Sequence, residues 1–299
     1  MTETTTSGSR AAIVVALKWV DLWPDVDRLT GAVHHDDRFF GCSAADQAAL
    51  EWALRIGDAW DLPIIAITAG PPAAESLLRD ALAAGATSVL RIDLPAGVTS
   101  ERVAARIADA VVGGHHPDHH DHRDVALVCC GDWSLDRGSG SVPAFLSAEL
   151  GWGQALGLVG LEVGAEPTDL TVSRRLDGGR REVLAVTAPT VLSFEGGTAS
   201  LRRASLTAVL RATDALVPVW SPSAEVPSPR VTVTHRGPDR PRAHALPPPD
   251  LALTPRERIL SLTGALVEHT PPRTVMADPD EAAELIVDQL QEWGYLPPA

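Results

Sequence analysis

The feature that most restricts the fold is an alternation of two periodicities along the first 150 residues. Short apolar runs bounded by turn residues, at 11–20, 63–69, 87–92 and 125–131, alternate with stretches of helical spacing at 43–60, 72–84, 99–112 and 139–150. Strands separated by whole helices return parallel to one another, because a tight hairpin turn is replaced by a crossover that packs its helix on the sheet. The spacing therefore predicts an α/β fold with a doubly wound, mostly parallel sheet. Helix ends have local causes: Ser43-Ala-Ala-Asp46 has the form of a capping box, Leu50, Ala53, Leu54 and Gly57 share one face, and Gly85 stops the helix at 72–84.

Beyond residue 150 the pattern changes. In VSRRLDGGRREVLAVTAPTVL, residues 172–192, two strand-like runs are joined by Asp177-Gly178-Gly179, and Pro189 opens a third apolar run. The two glycines supply the positive φ that a hairpin reversal needs. Residues 218–249 hold nine of the 24 prolines, so this stretch can contribute little to a ladder or a helix and is expected to run over the surface as an extended arm. Helical spacing returns at 280–293, where Ala283, Ile286, Val287, Leu290 and Trp293 share a face that needs a surface to cover, such as a partner chain. The expected organisation is a disordered terminus at 1–10, an α/β nucleotide-binding domain at 11–217, and a Pro-rich arm with a C-terminal helix at 218–299 that contacts a partner subunit.

A formal charge of −14 and a pI near 5.1 oppose binding to a phosphate backbone, so nucleic acid is not expected as a partner. No apolar run approaches the roughly 20 residues of a membrane span. The Thr/Ser-rich start lacks a signal-peptide pattern, and the expected location is cytoplasmic. Three cysteines fit a reducing compartment.

A doubly wound sheet binds ligands outside the carboxyl ends of its strands, where backbone N–H groups and helix N-termini converge. Three such ends are distinctive: Lys18 after the first strand, Ala69-Gly70-Pro71-Pro72 after the second, and the loop from Gly131 to Val142 (GDWSLDRGSGSV) after the fourth. Small residues let backbone amides approach a phosphate, and hydroxyls add donors. Lys18, at the end of a buried strand, must reach either water or an anion, so a snorkelling surface residue and a phosphate or flavin contact are both open. Trp133 is open between packing and stacking on a ring. The run His115-His116-Pro117-Asp118-His119-His120-Asp121-His122 reads as a polar loop rather than a metal site, Cys129 and Cys130 as core thiols on opposite faces of a strand, and Cys42 as lacking the neighbours of a nucleophile. No Ser-His-Asp or metal-ligand spacing points to a hydrolase or transferase, and no catalytic acid, base or nucleophile is expected.

The order Val172, Arg174, Asp177 to Gly179, Glu182, Leu184, Pro189 resembles the signature of electron-transfer flavoprotein β subunits, with Ser193 where the family closes on a small residue such as Thr, Ala or Cys. The resemblance runs from about Ala11 to Leu296 and is nearest to divergent β-like subunits associated with mycofactocin redox systems. It implies a Rossmann-like sheet of the adenine-nucleotide α-hydrolase type, and a heterodimer with an FAD-binding α subunit. Electrons would pass from a dehydrogenase towards a downstream, quinone-linked acceptor, with AMP, or a second FAD as in bifurcating members, in the β site.

Carried over by position, the phosphate and ribose would be lined by Gly131, Asp132, Trp133, Ser134, Leu135, Asp136, Arg137, Gly138, Ser139, Gly140, Ser141 and Val142. The adenine region would be met by Ala16, Ser43, Ala44, Ala45, Asp46 and Ala69, with Lys18 nearby. Leu206, flanked by Arg202, Arg203 and Arg211, aligns with the Leu that anchors partner dehydrogenases. The chain departs from the family at Ser43-Ala44, in place of Asn-Pro, and at Ser141-Val142-Pro143, in place of Gln-Thr-Gly or Gln-Val-Gly. A different class, the stand-alone nucleotide-binding module of the universal-stress-protein type, is matched only in fragments by Gly138-Ser139-Gly140-Ser141.

Overall fold

The computed structural model describes residues 11–113, 125–164, 169–222, 248, 250–263 and 274–296. The terminus at 1–10, the His-rich run at 115–122, most of the Pro-rich arm and residues 270–273 of the C-terminal stretch lie outside the described residues. By contacts the chain divides into Met1–Pro238 and Asp239–Ala299.

The first unit runs β1 (Ala12–Ala16), β2 (Trp19–Asp21), β3 (Asp25–Val26), β4 (Val33–His34), β5 (Phe40–Cys42), α1 (Ala44–Trp60), β6 (Ile64–Gly70), α2 (Glu75–Ala84) and β7 (Ser88–Asp93). It continues with α3 (Ser100–Val112), β8 (Val125–Gly131), α4 (Ser141–Leu150), β9 (Gly153–Val163), β10 (Asp169–Arg175), β11 (Arg181–Thr187), β12 (Thr190–Phe194), α5 (Leu206–Thr213) and β13 (Val219–Trp220). One nine-stranded sheet has the order β11-β10-β9-β12-β8-β1-β6-β7-β13. From β9 to β13 every neighbouring pair is parallel, while β9-β10 and β10-β11 are antiparallel.

Side-chain alternation along β1 splits the core. Ile13 and Val15 pack with Ala49, Ala53 and Ile56 of α1 and Leu78 of α2, whereas Ala12, Val14 and Ala16 pack with Ala104 and Ile107 of α3 and Leu146 of α4. Cys129 and Cys130 obey the same rule, one thiol in each cluster, both buried. The fold is thus a doubly wound α/β sheet with helices on both faces.

Four features differ from the sequence reading. The run at 11–20 is not one strand: after Leu17, whose N–H still reaches Ile67, the Lys18 N–H is taken by the Asp46 side chain, and Trp19–Asp21 leaves to pair with β5. Helix α4 starts at Ser141 rather than 139, because Gly138 (φ 62°) and Gly140 (φ 55°) hold left-handed backbone. Only half of the capping box at α1 forms, since Ser43 accepts from Asp46 N–H while the Asp46 carboxylate turns to other partners. Strand β9 was not anticipated; Gly153, Gly157 and Gly160 dilute its apolar pattern.

The hairpin forms as read, with Gly178 and Gly179 at φ 70° and 75° and Glu182 opposite Arg174. The sheet also takes in Val219–Trp220 at its far edge, beside β7. In the second unit, α6 (Pro255–Leu262) is capped by a complete Thr254/Glu257 box, and α7 (Pro279–Glu292) is capped by Asp278 and leaves Ile286, Val287 and Trp293 exposed. No helix among the described residues is long and apolar enough to cross a membrane.

Candidate functional site

The carboxyl ends of β1, β6, β7 and β8 converge on a cavity of about 410 Å³. One wall is the loop after β8, which brings Gly131, Trp133, Ser134, Asp136, Arg137, Ser139 and Gly140 to it and leads into Ser141 and Val142 at the start of α4. This loop is tightly folded against its neighbours. A Cβ on Gly131 would lie 2.5 Å from Asp46 Oδ1 and 2.9 Å from Asp46 N, and one on Gly140 would lie 2.2 Å from the Asp132 carbonyl oxygen. The glycines therefore set the path of the loop.

Asp46 ties the site together. It sits in the first turn of α1, buried, and its two carboxylate oxygens accept from Lys18 N–H (3.1 Å) and Gly131 N–H (3.2 Å), joining the ends of β1 and β8 to one helix. Burial pushes its carboxyl up to about 6, against the lowering effect of those backbone donors, the Ser43 hydrogen bond and the Lys18 charge. Lys18 turns its ammonium to Asp136, reaching Oδ2 at 2.6 Å and Ser134 Oγ at 3.3 Å. Burial acts to raise the Asp136 carboxyl, but the hydrogen bonds from Lys18 and Ser134 and the Lys18 charge outweigh it and hold the group below its ordinary value.

At the start of α4 the arrangement suits an anion. Gly140 occupies the N-cap position and offers no side-chain cap, so the first N–H groups of a ten-residue helix are not closed off by a capping side chain. Ser139 Oγ and Ser141 Oγ lie beside it, 2.9 Å apart, and the Arg137 guanidinium spans to the Gly97 carbonyl at 2.9 Å.

Of the sequence-derived site residues, Ala16, Lys18, Asp46, Ala69, Gly131, Trp133, Ser134, Asp136, Arg137, Ser139, Gly140, Ser141 and Val142 line the cavity. Ser43, Ala44, Ala45, Asp132, Leu135 and Gly138 do not. Ser43 caps α1, Ala45 backs Gly131, and Asp132 donates its N–H to the Phe194 carbonyl. Ala44 lies against Gly196, Leu135 is exposed, and Gly138 closes a turn on the Ser134 carbonyl.

The sequence reading missed two walls. The loop after β7, with Leu94, Pro95, Ala96, Gly97 and Val98, follows from the strand-end rule and its small residues carried a signal. The β2–β5 ribbon, with Trp19, Asp21 and Phe40, and His35, in the connection between its strands, carried none, because the strand pairing joins residues about twenty positions apart. Leu206 stands at the first position of α5, 74 % exposed, behind a Ser205 cap. Arg202 is not free to rim it, being paired to Glu51 and Asp58, while Arg203 and Arg211 are exposed.

The fold and the site define an α/β protein with a cavity at the strand ends of a sheet extended by an antiparallel hairpin. Residues 35–224 match the electron transfer flavoprotein domain, so the chain belongs to the electron transfer flavoprotein family, and the relatives place it on the β-like side. It is similar to the electron transfer flavoprotein subunit beta of Methylophilus methylotrophus, at 26 % identity over 183 residues covering 60 % of this chain and 66 % of the relative. The subunit beta of Bradyrhizobium diazoefficiens is 29 % identical over 170 residues, covering 56 % and 63 %. The protein FixA of Azotobacter vinelandii is 29 % identical over 178 residues, covering 58 % and 61 %. The chain thus spans somewhat less than two thirds of these relatives' length.

Proposed function

We propose that this chain is an electron-transfer flavoprotein β-like subunit. It pairs with an FAD-binding α subunit, helps pass electrons from a dehydrogenase to a downstream acceptor, and holds AMP or a second FAD in its strand-end cavity. The observation that carries the nucleotide part is the start of α4. A helix end without a side-chain cap, flanked by two serine hydroxyls and opening on a cavity, fits a phosphate by its donors alone. Lys18 is already matched by Asp136, so the donors that remain for an anion are the backbone N–H groups and the two serine hydroxyls.

A flavin shared with the partner would supply the redox chemistry; the residues of this chain orient and exclude water rather than react. The exposed Ile286, Val287 and Trp293 face of α7 is available to the partner subunit, and Leu206 to the dehydrogenase.

Co-expression with the α subunit is expected to give a yellow one-to-one complex that releases AMP, or FAD beyond one per heterodimer, on heating. Native mass spectrometry without any adenine nucleotide beyond the α-subunit flavin refutes the nucleotide part. A well-behaved, flavin-free monomer that ignores the α subunit refutes the pairing, and nucleotide binding by that monomer favours a stand-alone module of the universal-stress-protein type.

A further inference from the structure

The end of β2 and the connection that returns to β5 bring a polar pair, Asp21 and His35, to the cavity. Asp21 is 5 % exposed; its Oδ1 accepts from Trp23 N–H at 2.9 Å and its Oδ2 lies 2.8 Å from His35 Nδ1. A carboxylate only accepts, so the proton of the neutral imidazole sits on Nδ1 and Nε2 is left as an acceptor. The ring is held in place by more than this bond. Phe40 lies 5.7 Å from it and is itself stacked on Trp19 at 4.0 Å, and all four side chains line the cavity. Two charged groups of the cavity are already engaged, Lys18 with Asp136 and Ser134, and Asp46 with two backbone N–H groups.

We propose that His35, oriented by Asp21, is a specificity-determining residue of this cavity, accepting at Nε2 a hydrogen bond from the exocyclic amine of a bound adenine. Asp21 is a positioning residue that acts through the tautomer. This rests on the adenine-nucleotide reading and deepens it by naming what distinguishes the base. A 6-oxo purine turns an acceptor towards Nε2, and two facing acceptors leave both unpaired.

The test uses the full chain with whatever subunit accompanies it, stripped of nucleotide and titrated calorimetrically with AMP and with IMP in mildly alkaline buffer. AMP is expected to bind at least about tenfold tighter than IMP, the worth of one hydrogen-bond mismatch. In Asp21→Asn the side-chain amide can donate to Nδ1, which moves the imidazole proton to Nε2, and the preference should collapse or turn towards IMP. His35→Ala should bring the two affinities together while both nucleotides still bind. An AMP-to-IMP ratio unchanged in both variants overturns the assignment and leaves the nucleotide reading standing, even where both affinities fall equally. Binding of neither nucleotide by the unaltered chain overturns both.

Discussion

Replacing Asp46 by Asn separates the two forces that act on the carboxylate at the centre of the site. Burial raises its carboxyl from 3.8 to about 6, and two backbone donors pull the other way without prevailing. A folded-state value above the unfolded one means that the native state binds more protons between these limits. Stability from this group is therefore fully present below pH 3.8 and is lost as pH rises to about 6. A shift of roughly two units corresponds to about 3 kcal/mol. Asn has the shape and hydrogen-bonding inventory of the protonated acid, one acceptor oxygen and one donor group, so it should behave as Asp46 frozen in its neutral form, in which only one of the Lys18 and Gly131 N–H groups keeps its acceptor.

Asp46→Asn is accordingly expected to stabilise the ligand-free chain near neutral pH by up to about 3 kcal/mol, an upper bound set by the shift, or roughly 6–12 °C in melting temperature for a domain of this size. The assay is denaturant unfolding of both forms from pH 4 to 8, reading the difference between them so that other carboxylates cancel. That difference should be near zero at pH 4, grow to pH 6 and then level off. A variant less stable than the parent at pH 7, with a difference that does not change between pH 4 and 6, would show that the Lys18 and Gly131 donors outweigh burial, and the reasoning fails.

Gly131→Ala forces a methyl to within 2.5 Å of Asp46 Oδ1 and 3.0 Å of the Ala45 carbonyl carbon, where backbone cannot yield cheaply. It should cost about 1–3 kcal/mol in unfolding and lower nucleotide content, and unchanged melting with full nucleotide content refutes it. Leu206→Ala removes an exposed side chain at a helix start, so melting should move by no more than about 0.5 kcal/mol. If Leu206 anchors the dehydrogenase, electron transfer from that donor should weaken by about 1–3 kcal/mol of binding at unchanged flavin content. Unchanged kinetics reject the anchor, and loss of flavin makes the residue structural.

Where a structural decision is local, the sequence carried it. Ser43 caps α1 and Gly85 ends α2, because a cap needs only a side chain and the three or four residues beside it. The loop wall from Gly131 to Val142 was legible for the same reason. Strand β9 was not, since its stability comes from β12 on one side and β10 on the other, and three glycines thin its pattern. The ribbon wall was hidden too: Trp19 meets Cys42 across a pairing that no short window contains. Asp46 shows a subtler limit. Its spacing from Ser43 fitted a capping box, but the capping return bond loses to two backbone donors at strand ends that arrive only in the folded chain.

The departures from the family pattern bear on the donors that α4 presents to the cavity. Pro143 removes a backbone donor, yet it stands third in α4, counting from Ser141, within the turn whose N–H groups have no intrahelical acceptor. The helix therefore loses no bond, and its first turn keeps the N–H groups of Ser141 and Val142 as donors. Ser43, in place of the family's Asn, still caps α1, so Asp46 keeps its position and with it the ends of β1 and β8. At Gly131 and Gly140 a side chain would collide with Asp46 and with the Asp132 carbonyl, so the path of the loop that carries these N–H groups depends on glycine at both positions.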